Sequence, residues 1–324
     1  MRLEGIVAAL TTPMQSDGEL ALERLEQNLL RYQGTPLRGY LVLGSSGEAI
    51  ALEREEKLAV LRCAARAAAA GGKLLLAGTG EESLRATLAM TAEAAALGYH
   101  AAVVRTPHYY KKAVTAAALA GFYRAVADHS PIPVVLYNIP PLTGVDLGLE
   151  TILELAQHPN IAGLKESSGN LEKLVRLAAL RPDFAVMVGG AATIYPSLCV
   201  GAAGAILALA AAAPEACCEV EAAFRSGDHD LALAAQRALL PACKAFEPLS
   251  IPGLKAAVDA GGYFGGPPRL PLLAVTPAQS QAIAAALAGL RADCVATRGG
   301  RAACPAGKAG AKGGVFLYSG LRAD

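Results

Sequence analysis

Lys165 closes the apolar run Ile161-Ala162-Gly163-Leu164 and stands before the polar stretch Glu166-Ser167-Ser168-Gly169. A buried ammonium group is costly unless it is paired or gives up its proton. A neutral lysine held among apolar groups is a nucleophile that forms a Schiff base with a carbonyl compound. A lysine at a strand end also reaches solvent easily with its long stem, and position alone favours that reading. Tyr137 follows Val134-Val135-Leu136 in the same way. Its phenol reads either as a core hydroxyl with a satisfied partner or as a proton donor and acceptor around a Schiff base. Ser45 and Ser46, between Gly44 and Gly47, offer hydroxyls and approachable amides suited to a carboxylate, or make an ordinary strand-to-helix turn. Gly78-Thr79-Gly80 is a weaker pattern for the same purpose.

These residues share one relation to the elements around them, since each lies just past a short apolar run. The runs are 6–10, 40–44, 74–78, 101–107, 133–140, 161–165, 185–190 and 204–210. Amphipathic stretches at 20–33, 53–70, 83–97, 115–129 and 170–180 separate several of them. Apolar strands alternating with helices predict a parallel sheet covered on both faces, and eight such units fit a (β/α)8 TIM barrel within the α/β class. In such a barrel the C-terminal strand ends carry the chemistry. Residues 1–212 are expected to form the barrel and 213–291 a C-terminal helical extension with helices at 214–226, 229–246, 251–261 and 277–290. Residues 292–324, rich in Gly, Ala and basic residues, lack periodicity and read as a disordered tail.

Composition narrows the partners. The chain has 324 residues, 53% of them hydrophobic, and a net charge of +1, which leaves no electrostatic footprint for nucleic acid or an anionic membrane. No apolar run is long enough to span a bilayer, and the N-terminus reads as a first strand rather than a signal peptide. The seven cysteines follow neither disulfide nor zinc spacing, so a reducing cytoplasm and no metal site are expected. Asp228-His229-Asp230 reads as a helix cap rather than a metal site. His100, His129 and His158 have no partner spacing, and His108 could line a pocket from the strand-four loop.

In combination, GSSGEA (44–49), TPHYY (106–110), YNIPPLTG (137–144) and GLKESSGN (163–170) resemble the dihydrodipicolinate synthase and N-acetylneuraminate lyase family of class I pyruvate aldolases. The resemblance covers roughly residues 3–290 and overturns the solvent-reaching reading of Lys165. It implies that Lys165 forms the Schiff base with pyruvate, that Tyr137 shuttles protons, and that Ser45 joins the proton relay. It implies that Ser45 and Ser46 hold the pyruvate carboxylate and that Tyr109 reaches into a neighbouring subunit to complete the relay. Gly189 and Ile206 match positions lining the pyruvate pocket, and Gly47, Leu142 and Ser167 join the expected substrate-binding set. No cofactor or metal is implied, because the iminium supplies the positive charge. The partners implied are pyruvate and an aldehyde, in a homo-oligomer, either a dimer or a tetramer built from dimers.

One position departs from the pattern. Synthases that use aspartate semialdehyde usually carry an arginine where this chain has Leu142, and an aliphatic side chain cannot grip a carboxylate. With RGYLVLGSSGE, HPNIAGLKES and IPGLKAAVDAGGYFGGPPRLPL, this leans the expectation toward a 4-hydroxy-2-oxoglutarate-type aldolase. Dihydrodipicolinate synthesis and N-acetylneuraminate-lyase-like cleavage are the alternatives. A non-catalytic barrel that binds a keto acid is the rival from another class. A phosphate-binding barrel isomerase fits less well, since the chain after Ala210 is alanine-rich.

Overall fold

Each expected apolar run contains a strand of one closed parallel barrel. In chain order these are β1 (Gly5–Ala9), β2 (Gly39–Val42), β3 (Leu74–Gly78), β4 (Ala101–Arg105), β5 (Val134–Asn138), β6 (Ile161–Glu166), β7 (Ala185–Val188) and β8 (Gly204–Leu207). The computed structural model describes residues 2–299 apart from 70, 179, 181 and 182. Val7 pairs with Gly39 of β2 on one side and Ile206 of β8 on the other, which closes the ring. The strands are buried on both faces, and this is why they read as continuous apolar runs rather than alternating ones.

The helices are α1 (Leu22–Gln33), α2 (Arg54–Ala68), α3 (Leu84–Ala96), α4 (Ala116–His129), α5 (Pro140–Thr143), α6 (Leu149–Leu155), α7 (Leu171–Ala178), α8 (Ile194–Cys199), α9 (Pro214–Arg225), α10 (His229–Phe246), α11 (Ser250–Ala260) and α12 (Pro277–Gly299). Their starts follow capping chemistry. Ser83 and Thr115 each accept the N–H three residues on, at 3.2 Å, and Asp228 accepts from Leu231 at 3.0 Å as a cap of α10. Glu53 and Glu56 form a reciprocal capping box on α2.

Two groups of side chains fill the molecule. Val7, Leu41, Leu76, Val103, Val135, Met187 and Ile206 pack inside the barrel with Tyr137. A larger cluster lies between strands and helices and continues into α10, α11 and α12 through Leu239, Phe246, Leu254, Val258 and Leu287. Helix α9 lies against β1 and α8, where a barrel's eighth helix belongs. We propose on this ground that the extension begins after α9. The extension returns to the barrel through Asn28 of α1, which exchanges two hydrogen bonds with the Phe264 backbone at 2.8 and 2.9 Å. Helix α12 continues to Gly299, so the beginning of the expected tail is helical. The rest of that expectation, residues 300–324, lies outside the described residues.

The barrel mouth leaves no room at Gly78. A Cβ there would sit 2.1 Å from the Leu43 carbonyl oxygen, at the point where β2 turns toward Ser45. Gly78→Ala is expected to destabilise the protein by about 1–3 kcal/mol, the usual cost of overpacking. Urea denaturation monitored by circular dichroism would measure it; an unchanged midpoint would contradict the close approach.

Candidate active site

Register places the reactive residues side by side. Arg105 of β4 pairs with Tyr137 of β5, Tyr137 with Lys165 of β6, and Lys165 with Met187 of β7. Side chains alternate along a strand, so this row shares the inward face with Val103 and Val135. Lys165 is 4% exposed, and its Nζ lies 4.3 Å from the centroid of the Tyr137 ring. An aromatic face tolerates a cation that apolar groups would not. On the other side, the Tyr137 hydroxyl lies 3.4 Å from Ser45 Oγ. Lys165 on one side and Ser45 on the other thus both adjoin Tyr137 at the ends of neighbouring strands.

The next residues point the opposite way and tie the same strand ends together. Asn138 Nδ2 donates to both Glu166 carboxylate oxygens at 3.1 and 3.0 Å, and to Asp146 at 2.7 Å. Lys173 of α7 bridges Asp146 at 2.9 Å and Glu166 at 3.3 Å. Glu166 also accepts the Ser168 N–H at 2.7 Å, which shapes the turn after Lys165. Each buried charge here has a partner, as burial requires.

The turn after β2 is tight. Leu43 and Glu48 both take left-handed backbone conformations, φ +58° and +54°, around the 3-10 turn Ser45–Gly47. The Gly47 carbonyl accepts from Thr12 Oγ1 at 2.7 Å, and a Cβ on Gly47 would meet that oxygen at 3.2 Å. Ser45, Tyr137 and Leu142 line a cavity of about 290 Å³, shared with Arg105, His108 and Arg269. Leu142, on α5, is 55% exposed at the rim.

Other expected residues stand around this cavity without lining it. Lys165 is covered by the Tyr137 ring, and Ser46 and Gly47 lie within the turn. Ser167 fills the space that Gly189 leaves open, since a Cβ on Gly189 would overlap its hydroxyl. Ile206 is fully buried in the barrel interior with Tyr137 and Met187. Tyr109 is 75% exposed and packs edge-to-face on Tyr110 at 5.1 Å between centroids. Its backbone is held by Glu82, which accepts the His108 and Tyr109 N–H groups at 2.9 Å each and pairs with His108 Nδ1 at 2.8 Å.

Sequence reading missed Arg105, Glu48, Lys255 and Arg269. Arg105 was legible, being in phase with Val103 at a strand end. Lys255 lies on the apolar side of α11 with Leu254 and Val258, where a charge signals a buried partner. That partner is Glu48, with Oε1 2.5 Å from Lys255 Nζ. Burial pushes the Lys255 ammonium below its ordinary pKa, and the Glu48 carboxylate opposes that shift. Among the described residues no group of three or more His, Cys, Asp or Glu side chains could hold a metal ion. No described helix is long and apolar enough to cross a membrane.

Comparison with known proteins agrees with this geometry. The model of the dihydrodipicolinate synthetase family matches residues 2–290. A protein named 4-hydroxy-tetrahydrodipicolinate synthase from Xanthomonas axonopodis pv. citri is 41% identical over 286 residues, covering 87% of this chain and 93% of that one. The crystal structure of dihydrodipicolinate synthase from Aquifex aeolicus superposes with a TM-score of 0.84 at 29% identity, over 89% of this chain and 98% of that one. A structure described as a monomeric dihydrodipicolinate synthase variant superposes with a TM-score of 0.82 at 29% identity, over 89% and 96% of the two chains.

Glu82 gives the mouth a pH dependence. Burial raises its pKa, but the Tyr109 and His108 N–H groups and the charges of His108 and Arg105 outweigh it and hold the carboxyl below its ordinary value. A lowered folded value means that this anchoring is complete above the ordinary carboxylate range and lost as pH falls through the folded value. Protection factors for the His108 and Tyr109 amides are expected to drop on acidification below about pH 4.3, the ordinary glutamate value. Hydrogen exchange on wild type and Glu82→Gln would test it, with the variant showing weaker protection at neutral pH and no acid transition.

Proposed function

We propose a function that starts from one premise: the chain belongs to the dihydrodipicolinate synthetase family. Enzymes of this family are lyases that bind pyruvate covalently through a lysine Schiff base and use no metal or external cofactor. The alignment of Lys165, Tyr137 and Ser45 is the observation that carries the assignment of these roles here. The Lys165 amine adds to the keto carbon of pyruvate, and loss of water, with the Tyr137 hydroxyl delivering the proton to the departing oxygen, leaves an iminium. The iminium withdraws electrons from the adjacent methyl carbon, whose proton leaves to give an enamine. That carbon attacks an aldehyde, the new alkoxide takes up a proton, and water releases Lys165. Ser45 passes protons between Tyr137 and the mouth. Ser45, Ser46 and the amides of the turn ending at Gly47 hold the carboxylate, with Ser167 and Gly189 shaping the adjacent wall.

The acceptor we favour is aspartate semialdehyde, giving the 4-hydroxy-tetrahydrodipicolinate synthase reaction. The likeness to the Xanthomonas synthase supports it, and Arg105 in the cavity brings a cation near the bound aldehyde. Leu142 favours a second reading, cleavage of 4-hydroxy-2-oxoglutarate to pyruvate and an aldehyde, because no guanidinium stands at that rim position. The exposed Tyr109 supports a homo-oligomer in which a second copy completes the relay. The thiols of Cys63, Cys199, Cys218 and Cys243, none of them in a disulfide, fit a reducing cytoplasm.

Purified protein should consume pyruvate fastest with aspartate semialdehyde, when compared with pyruvate release from 4-hydroxy-2-oxoglutarate and from N-acetylneuraminate. Faster cleavage of 4-hydroxy-2-oxoglutarate would establish the second reading instead. Lys165→Ala should abolish every one of these activities and the borohydride-trapped pyruvate adduct; retained turnover would refute the mechanism. Leu142→Arg should lower the KM for aspartate semialdehyde about tenfold, the worth of one charge-assisted contact.

A further inference from the structure

A buried charge pair that the chemistry above does not use sits at the end of the Ser45–Gly47 turn. Glu48 is 3% exposed, and both of its carboxylate oxygens are taken by the C-terminal helices and the loop after them. Oε1 lies 2.5 Å from Lys255 Nζ of α11, and Oε2 accepts the Arg269 N–H at 2.8 Å. Lys255 is 1% exposed and also donates to the Pro267 carbonyl at 2.7 Å. Arg269 reaches further along the same loop, to the Ala51 carbonyl at 3.0 Å and to both Glu56 carboxylate oxygens at 2.7 Å.

The backbone explains what this clamp is for. Leu43 and Glu48, on either side of the serines, hold left-handed conformations that residues with a Cβ avoid. Such strain persists only where the surroundings over-determine it, and it collects at ligand clamps. Thr12 holds the turn from the barrel side through the Gly47 carbonyl. From the other side, the buried grip on Glu48 is what opposes relaxation of the turn.

We propose that Glu48 is a positioning residue for keto-acid binding: its side chain, gripped by Lys255 and the Arg269 backbone, holds Ser45 and Ser46 in carboxylate-binding shape. The C-terminal helices are then part of the pyruvate site, although the Schiff-base lysine is on the barrel. The proposal rests on the reading that the two serines hold the keto-acid carboxylate beside Lys165.

The test replaces the pair together, Glu48→Met with Lys255→Met, because apolar residues in place of a buried ion pair often leave stability intact while a lone buried charge does not. Pyruvate is titrated and the Lys165 adduct trapped with borohydride and counted by mass. The half-saturating pyruvate concentration is expected to rise at least tenfold, with the trapped fraction at saturation unchanged. A purely structural pair would lower the melting temperature and the plateau and leave half-saturation alone. Half-saturation within twofold of wild type overturns the proposal. Glu48→Gln with Lys255→Met, which keeps the shape of residue 48 and leaves no lone buried charge, covers the case of a misfolded double methionine variant. It should raise half-saturation at least threefold, and no rise overturns the proposal equally. A wild type that forms no Lys165 adduct would sink the Schiff-base reading and this proposal with it, whereas an intact wild-type titration with unmoved variants sinks the proposal alone.

Discussion

Tyr137 and Lys165 face each other across β5 and β6, and the pair that follows, Asn138 and Glu166, faces the other way. Strand alternation makes these two facts one constraint: the register that sends phenol and amine into the barrel also sends amide and carboxylate into the helix layer. A slip by one residue would exchange the sets, burying a carboxylate among Val103, Val135 and Met187 and exposing the lysine to α7. The Asn138–Glu166–Lys173–Asp146 network penalises that slip, since its groups find partners only in the native register. The reactive pair therefore depends on a polar network that faces away from the cavity.

A second dependence runs through the mouth. The barrel supplies the row from Arg105 to Met187, but the cavity wall opposite is built by Ser250, Ile251, Arg269, Pro271 and Leu272. Glu56 shows how closely the two parts are joined, because one carboxylate both completes the capping box of α2 and pairs with Arg269. The shape of the cavity belongs to both parts.

Strand ends were legible in the sequence because parallel strands buried on both faces read as apolar runs, and a polar residue closing one stands out. Lys165, Tyr137 and Ser45 stood out that way as candidates, and only the combined motifs made them the expected site. Helices α5, α6 and α8 were not, being too short to show a 3.6-residue period. Ile206, an apolar residue in mid-strand, carries no mark in the sequence of whether it packs inside the barrel or against the helices; it packs inside. The Glu48–Lys255 pair was missed because each residue has an ordinary local reading, an acid in a turn and a lysine on a helix. Leu142 pointed to a 4-hydroxy-2-oxoglutarate aldolase, while the relatives, alike over most of the chain, carry the name of the synthase.

The contact between the Arg269 N–H and Glu48 joins residues 221 apart in the chain. As the chain leaves the ribosome, all eight strands and Lys165 emerge before Lys255 and Arg269 do. A nascent chain that ends after β8 holds Lys165 and Tyr137, yet lacks the cavity wall and the grip on Glu48 beside the turn after β2. Long-range closures of this kind come late in folding, because their entropy must be lost before the contact returns anything. The turn after β2 thus takes its native shape only once the chain around Arg269 has folded back onto it.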